Sequence, residues 1–252
     1  MKALDCVQRS EAWRLARCGR LTASRAADIL ARARRPGEES ISRRTYRQQL
    51  IGEQLTGIPL DRPFRSAAMR RGCDQEPAAR AAYAARTGLV VHTSGLLVHD
   101  VLKAGCSVDG HVGGFDEGLL EIKNPNTATH LLYLVTRQVP ARYRAQITHH
   151  VWLTGARWCD FVSYDARLPA RLRLVIVRLE RAHLDIAGYD REARRFLAEV
   201  DAAVAPLAGL APVAFFRAAP LALAREVLTL CANTVRRRTQ PAGWSPRLVR
   251  AS

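Results

Sequence analysis

The run Leu119-Leu120-Glu121-Ile122-Lys123 sets a carboxylate and an ammonium two residues apart among apolar neighbours, and Asn124-Pro125 closes it. Side chains alternate across a strand, so Glu121 and Lys123 share one face while Ile122 points to the other, into the core. A second carboxylate, Asp109, stands twelve residues ahead of Glu121, and the intervening "GGFDEG" is long enough to fold back as a hairpin. Folded in that way, Asp109 lies beside Glu121. Two carboxylates make a hard, oxygen-only pocket that suits Mg2+ rather than zinc. An ion held there lowers the pKa of bound water and stabilises charge on a phosphoryl oxygen. Lys123 is then placed to orient the water and to add positive charge at the phosphate. The bland alternative for an acid–lysine pair on a strand is a surface salt-bridge face; Asp109, the apolar flanks and the charge of the chain weigh against it.

That charge is large. Thirty-nine Lys plus Arg against twenty-three Asp plus Glu leave +16 over 252 residues, a balance that suits a polyanionic partner such as nucleic acid. Lysine occurs only at Lys2, Lys103 and Lys123; every other basic residue is arginine. Arginine is always protonated and planar, whereas lysine offers a compact charge whose pKa can move, so a lysine at position 123 in an arginine-writing chain points to a site that needs it. Six cysteines are scattered without a C-x-x-C pair, which argues against a zinc site and a disulfide framework and fits a reducing cytoplasm. No long apolar run or secretory signal appears, so no membrane span is expected.

The elements that must position these groups read as helices, a strand cluster, helices, two strands and a helix. "QRSEAWRLARC" predicts a short helix with Trp13 and Leu15 towards the core, broken by Gly19. "LTASRAADIL" predicts a second, with Thr22 or Ser24 as N-cap. A third ends at Gly57, and a fourth, "CDQEPAARAAYAARTG", is capped by Asp74 with Pro77 in its first turn and Gly88 past its end. "LVVHT", "LLVHD", "AGCSVDGHV" and "GLLEIKN" are short β-type runs. Helices follow in "ATHLLYLVTRQ" and from Pro140 through Trp152, then strands in "WCDFVSYD" and "LRLVIVRLE", then a helix at "DREARRFLAEVDAAV". The order implies an α/β fold of mixed α+β type, a central mixed β-sheet flanked by helices. Residues 1–204 form the domain; from 205 the Ala/Pro-rich texture marks a C-terminal extension, basic and partly flexible at its end.

The ordered set "WRLARCGRLTAS", "RRGCDQEPAARAAYAARTG", "CSVDG", "LLEIKNP", "RYRAQITHHVWLTG" and "WCDFVSYDARLP" resembles the lambda exonuclease family of phage recombination nucleases (YqaJ-like viral recombinase), within the PD-(D/E)xK superfamily. The resemblance covers residues 10 to 200 and implies a restriction-endonuclease-like core. It implies that Asp109 and Glu121 bind divalent ions, that the Ile122 carbonyl is a further ligand, that Lys123 assists the attacking water, and that Glu76 lies near the metals. The plainer role for Glu76 is a first-turn glutamate stabilised by the helix dipole. The resemblance also implies that Arg17, Ser24, Ser107 and Gln146 grip a terminal 5′-phosphate, a task suited to a guanidinium fork and to a hydroxyl at a helix start. The plainer alternatives there are Ser24 as an N-cap and Arg17 as a solvated charge. Two departures stand out: Thr148 replaces a second glutamine common in relatives, and Asn124 replaces a cysteine.

By that resemblance the chain is an Mg2+-dependent 5′-to-3′ exonuclease, using two ions with Mn2+ as a substitute. It would degrade one strand of linear double-stranded DNA and leave a 3′ overhang for a single-strand annealing protein. A homo-oligomer, such as a trimeric ring, and a bacterial cytoplasm hosting a phage or prophage are further implications. The alternatives are an endonuclease of restriction or repair type and an inactive DNA-binding protein. His149 and His150 either touch DNA or pack at the sheet edge; Trp152 and Trp158 read as core. Arg65, Arg70, Arg71, Arg142 and Arg144 are candidates for the phosphate backbone, and binding should weaken steeply with salt.

Overall fold

A computed structural model describes residues 1–35, 37–60 and 67–208, and the part from Met1 to Ala208 forms one compact unit. Most of the expected extension lies outside the described residues, as does Arg65. The fold is mixed α/β, with the expected helix-flanked mixed sheet and a second four-stranded sheet. In the first, the order is β1 (Lys2–Leu4), β3 (Leu96–Val98), β4 (Ala104–Cys106), β2 (Leu21–Thr22); in the second it is β5 (Gly110–Val112), β6 (Gly118–Lys123), β7 (Trp158–Tyr164), β8 (Leu174–Glu180).

The hairpin expected around "GGFDEG" is present: β5 and β6 pair antiparallel, with Gly110 opposite Leu120 and Val112 opposite Gly118. Gly113, at φ 61°, takes the left-handed turn that glycine adopts without penalty. Gly118 is required for a different reason. A Cβ there would fall 2.0 Å from the Trp158 ring, because β7 runs parallel to β6 with those two residues in register. The parallel β6–β7 pair needs a crossover, supplied by α5 (Thr127–Thr136) and α6 (Ala141–Thr154).

β6 is buried on both faces, which explains its near-continuous apolar run. On one face Leu120 and Ile122 join Tyr83, Val112, Val162 and Tyr164 in a cluster under α4 (Ala67–Thr87). On the other, Leu119 joins the larger core with Phe161, Ile147, Val151 and Phe196. That core is closed by α3 (Ile41–Thr56), α6 and α7 (Ile186–Ala208). Burial of each large apolar side chain contributes about 1.5–3 kcal/mol.

Several local expectations are corrected. α1 (Glu11–Arg17) buries no residue, and Leu15 is exposed; a seven-residue helix capped by Ser10 lies against the surface instead of entering the core. Thr22 belongs to β2, and Ser24 sits inside a 3-10 turn (Ala23–Arg25) that precedes α2 (Ala26–Leu30), so neither is a side-chain N-cap. α4 starts at Ala67 rather than Asp74, which places Pro77 in its interior. Proline there has no N–H to give the carbonyl of Cys73, four residues back. "LVVHT" forms only an isolated bridge, His92 to His111, and β1 had no signal beyond three residues. No described helix is long and apolar enough to cross a membrane.

Candidate active site

Asp109 and Glu121 are brought together by the hairpin. The Asp109 N–H donates to the Leu120 carbonyl at 3.2 Å, and its Oδ2 accepts from the Ile122 N–H at 2.7 Å. Glu121 is all but sealed, 1% exposed. Its Oε1 accepts from Lys123 Nζ, and its Oε2 lies 2.9 Å from His150 Nε2, on α6. Lys123 also stands over the Tyr143 ring, 5.0 Å from its centroid. Burial would depress the Lys123 pKa, but Glu121 and Asp109 more than offset it and raise the group above its ordinary value.

These donors fit a hard divalent cation. Loss of solvent, then the neighbouring Glu121 charge, pushes the Asp109 carboxyl up to about 7. Burial also opposes ionisation of Glu121, yet Lys123 and His150 outweigh it and hold that carboxyl low. Ionising both carboxyls at once is therefore unfavourable without further positive charge, which a cation would supply. Among the described residues no three His, Cys, Asp or Glu side chains converge as a metal-binding group. An ion on Asp109 and Glu121 would keep waters or take phosphate oxygens, as Mg2+ does.

Glu76 is close by but engaged. Its Oε2 accepts from Arg9 at 2.5 Å and its Oε1 from Arg80 at 2.6 Å, and Arg80 also donates to the Asp109 carbonyl at 3.0 Å. For Glu76 to ligate an ion, an arginine would have to release it.

The four residues expected to grip a phosphate converge. Arg17 reaches Thr22 Oγ1 and Ser24 Oγ, each at 3.3 Å, and its guanidinium stacks on the Trp13 ring 4.0 Å from the centroid. Trp13 Nε1 donates to Ser107 Oγ at 2.7 Å. Arg17, Ser24, Ser107 and Gln146 line one cleft of about 520 Å3, and Glu76, Asp109, Ile122 and Lys123 line the same cleft.

Sequence reasoning missed two residues that line the cleft. Trp13 lines the cleft instead of filling the core; the signal was its spacing of four from Arg17 on one helix. Tyr143 also lines it, though nothing beyond its place one turn before Gln146 marked it. His149 and His150, both sealed, do not contact the cleft: His149 Nδ1 meets the Tyr189 hydroxyl at 2.7 Å and its Nε2 the Gly105 carbonyl at 3.1 Å. Trp152 and Trp158 are half-buried and pack against the two core clusters. Of the candidate backbone contacts, Arg142 donates to the Tyr133 phenol oxygen, and Arg144 lines a concavity with Arg32 and Arg191. Another concavity is lined by Arg86, Arg137, Arg171 and Arg173 and, among the described residues, by no acidic side chain.

The chain is similar to known proteins in sequence and in fold. The YqaJ-like viral recombinase domain matches residues 12–157, more than half of the chain. An alkaline exonuclease from Laribacter hongkongensis, LHK-Exo, is 41% identical, covers 80% of this chain and 100% of its own, and superposes with a TM-score of 0.70. Its complex with dAMP gives the same identity and coverage and a TM-score of 0.69. A phage-related exonuclease from Haemophilus somnus shares the fold, with a TM-score of 0.57 at 13% identity over 75% of this chain and 96% of its own. No curated protein matches the sequence. The chain belongs to the YqaJ-like viral recombinase family, and it carries the fold of the alkaline exonucleases similar to it.

Proposed function

We propose that the protein is a Mg2+-dependent nuclease that removes nucleotides from the 5′ end of one strand of linear duplex DNA and leaves a 3′ overhang. The nuclease role is supported by the family and by the 41% identical alkaline exonuclease. The finer reading rests on one observation: the four residues read as a phosphate grip line a single cleft with Glu76, Asp109, Ile122 and Lys123, and Glu121 lies buried behind it.

An anionic 5′ end entering that cleft meets Arg17, whose fork is already oriented by Trp13 and Ser24. Ser107 and Gln146 add neutral donors. The scissile phosphate then lies towards Asp109 and Lys123. Lys123, whose pKa Glu121 and Asp109 raise in the metal-free site, is placed as a donor that holds the attacking water and offsets charge growing on the phosphate. Asp109 and Glu121 would hold the divalent ion, which supplies Lewis acidity and acidifies water. The second ion implied by the resemblance would need Glu76 and a displaced arginine. Mn2+ would substitute. The net charge of +16 supports a DNA partner. An annealing protein that takes the 3′ strand, a ring-shaped homo-oligomer and a bacterial cytoplasm belong to the same reading.

The test is digestion of linear duplex beside a closed circle in Mg2+, with Lys123→Ala as control. Loss of the linear form alone, abolished in the variant, is the expected result. Cutting of the circle would move the protein to an endonuclease role; binding without cleavage in Mg2+ and Mn2+ would leave an inactive DNA-binding protein.

A further inference from the structure

We propose that His150 is a positioning residue: it fixes the carboxylate of Glu121 in the orientation that receives the divalent cation. The inference rests on the nuclease reading above and deepens it.

Two consecutive histidines of α6 are equally buried, and their partners differ in kind. His149 has both ring nitrogens matched, by the Tyr189 hydroxyl and the Gly105 carbonyl, and so fastens α6 to α7 and β4. His150 has one partner among the described residues, Glu121 Oε2 at 2.9 Å, and its buried Nδ1 has none. A carboxylate oxygen only accepts, so Nε2 carries the hydrogen. A buried polar atom left unmatched costs about 1–3 kcal/mol. Packing alone would favour an apolar residue at this position, or a histidine matched as His149 is. What the imidazole supplies in return is a single hydrogen bond to a metal-binding carboxylate.

That bond does what Lys123 cannot do alone. Lysine holds Oε1 from the end of a flexible four-carbon stem, on a side chain one-quarter exposed to the cleft. The His150 ring is rigid, sealed and carried by a different element, so the two oxygens of Glu121 are fixed from the helix and from the strand at once. His150 also follows Gln146 by four residues on α6, which puts the support of the carboxylate and a residue of the phosphate pocket on one helical face. Removing a partner of this kind from a ligating carboxylate typically weakens metal affinity or activity about 10–100-fold.

The test compares His150→Leu and His150→Met, which lack the donor, with His150→Gln, which keeps an N–H at similar reach. Mn2+ affinity is read by electron paramagnetic resonance without DNA, alongside the metal concentration for half-maximal digestion and the melting temperature without metal. The expected result is a loss in Mn2+ affinity of about 10–100-fold in Leu and Met, with Gln within about threefold of wild type. The metal-free melting temperature should change little in Leu and Met, since removing the unmatched Nδ1 offsets the cost of leaving Glu121 Oε2 without its donor. A structural role alone would lower melting without a selective loss of Mn2+. Should Leu fail to fold, the Met–Gln contrast carries the same decision. Wild-type Mn2+ affinity in the folded donor-free variants of an active enzyme would overturn this inference and leave the nuclease reading intact. A wild-type protein that neither binds Mn2+ nor digests DNA would overturn both.

Discussion

Trp13 Nε1 donates a 2.7 Å hydrogen bond to Ser107 Oγ, tying α1 to the segment between β4 and β5 while the same indole lies under the Arg17 guanidinium. One side chain thus orients two of the groups read as the phosphate grip. Trp13→Phe keeps the ring and loses the donor. The KM for 5′-phosphorylated duplex should rise about 5–10-fold, the equivalent of one hydrogen bond, with kcat within about twofold. Steady-state kinetics on a short duplex checks the split; an unchanged KM would remove Trp13 from the grip.

Asp109 bears an unfavourable charge in the metal-free protein. Its folded-state carboxyl, pushed up to about 7, binds a proton more readily than the unfolded chain does, so this group lowers stability as pH rises from its ordinary value towards 7. Asp109→Asn should therefore melt higher than wild type at pH 8 without metal, by about 2–4 °C for each kcal/mol recovered. It should also lose digestion by more than about 10²-fold. Calorimetry with EDTA and a digestion assay check the two opposite signs.

His149 works in the other direction. Burial, then neighbouring His150, holds its pKa down at about 3, so the folded state keeps it neutral while the unfolded chain takes up a proton below the ordinary value of 6.5. Its contribution is whole above 6.5 and is lost as pH falls from there towards 3, by about 1.4 kcal/mol per pH unit. Urea titrations from pH 7 to 5 should show the midpoint falling in wild type and a flatter profile in His149→Gln.

Gly118→Ala places a methyl 2.0 Å from the Trp158 ring, against a residue held in register by the β6–β7 pair. Overpacking of this kind costs about 1–3 kcal/mol. Denaturant melts should show that loss, and digestion at low temperature should remain.

The hairpin was legible because alternation and a glycine-rich turn are local signals: Asp109, Glu121 and Lys123 needed only β5 and β6 to meet. Arg17, Ser24, Ser107 and Gln146 come from four separate elements, and no spacing rule links them; the ordered family resemblance named them, and the fold gathers them in one cleft. His150 was not legible. A buried histidine on a helix looks alike whether it meets a tyrosine, as His149 does, or a carboxylate on a strand 29 residues earlier. The start of α4 was hidden for a related reason: Asp74 and Pro77 read as a cap and a first turn, although the helix had already begun at Ala67. Tertiary packing overrode the local signal.

If one cleft both grips a 5′-phosphate and cleaves behind it, the end group must govern the rate. The most direct measurement is the ratio of initial digestion rates on blunt linear duplex with a 5′-phosphate and with a 5′-hydroxyl, in wild type, Arg17→Gln and Lys123→Ala. The expected result is a strong preference for phosphate in wild type, a ratio near one in Arg17→Gln through loss of the phosphorylated substrate's advantage, and no digestion of either end in Lys123→Ala. Equal wild-type rates on the two ends, or a preference untouched by Arg17→Gln, would contradict it.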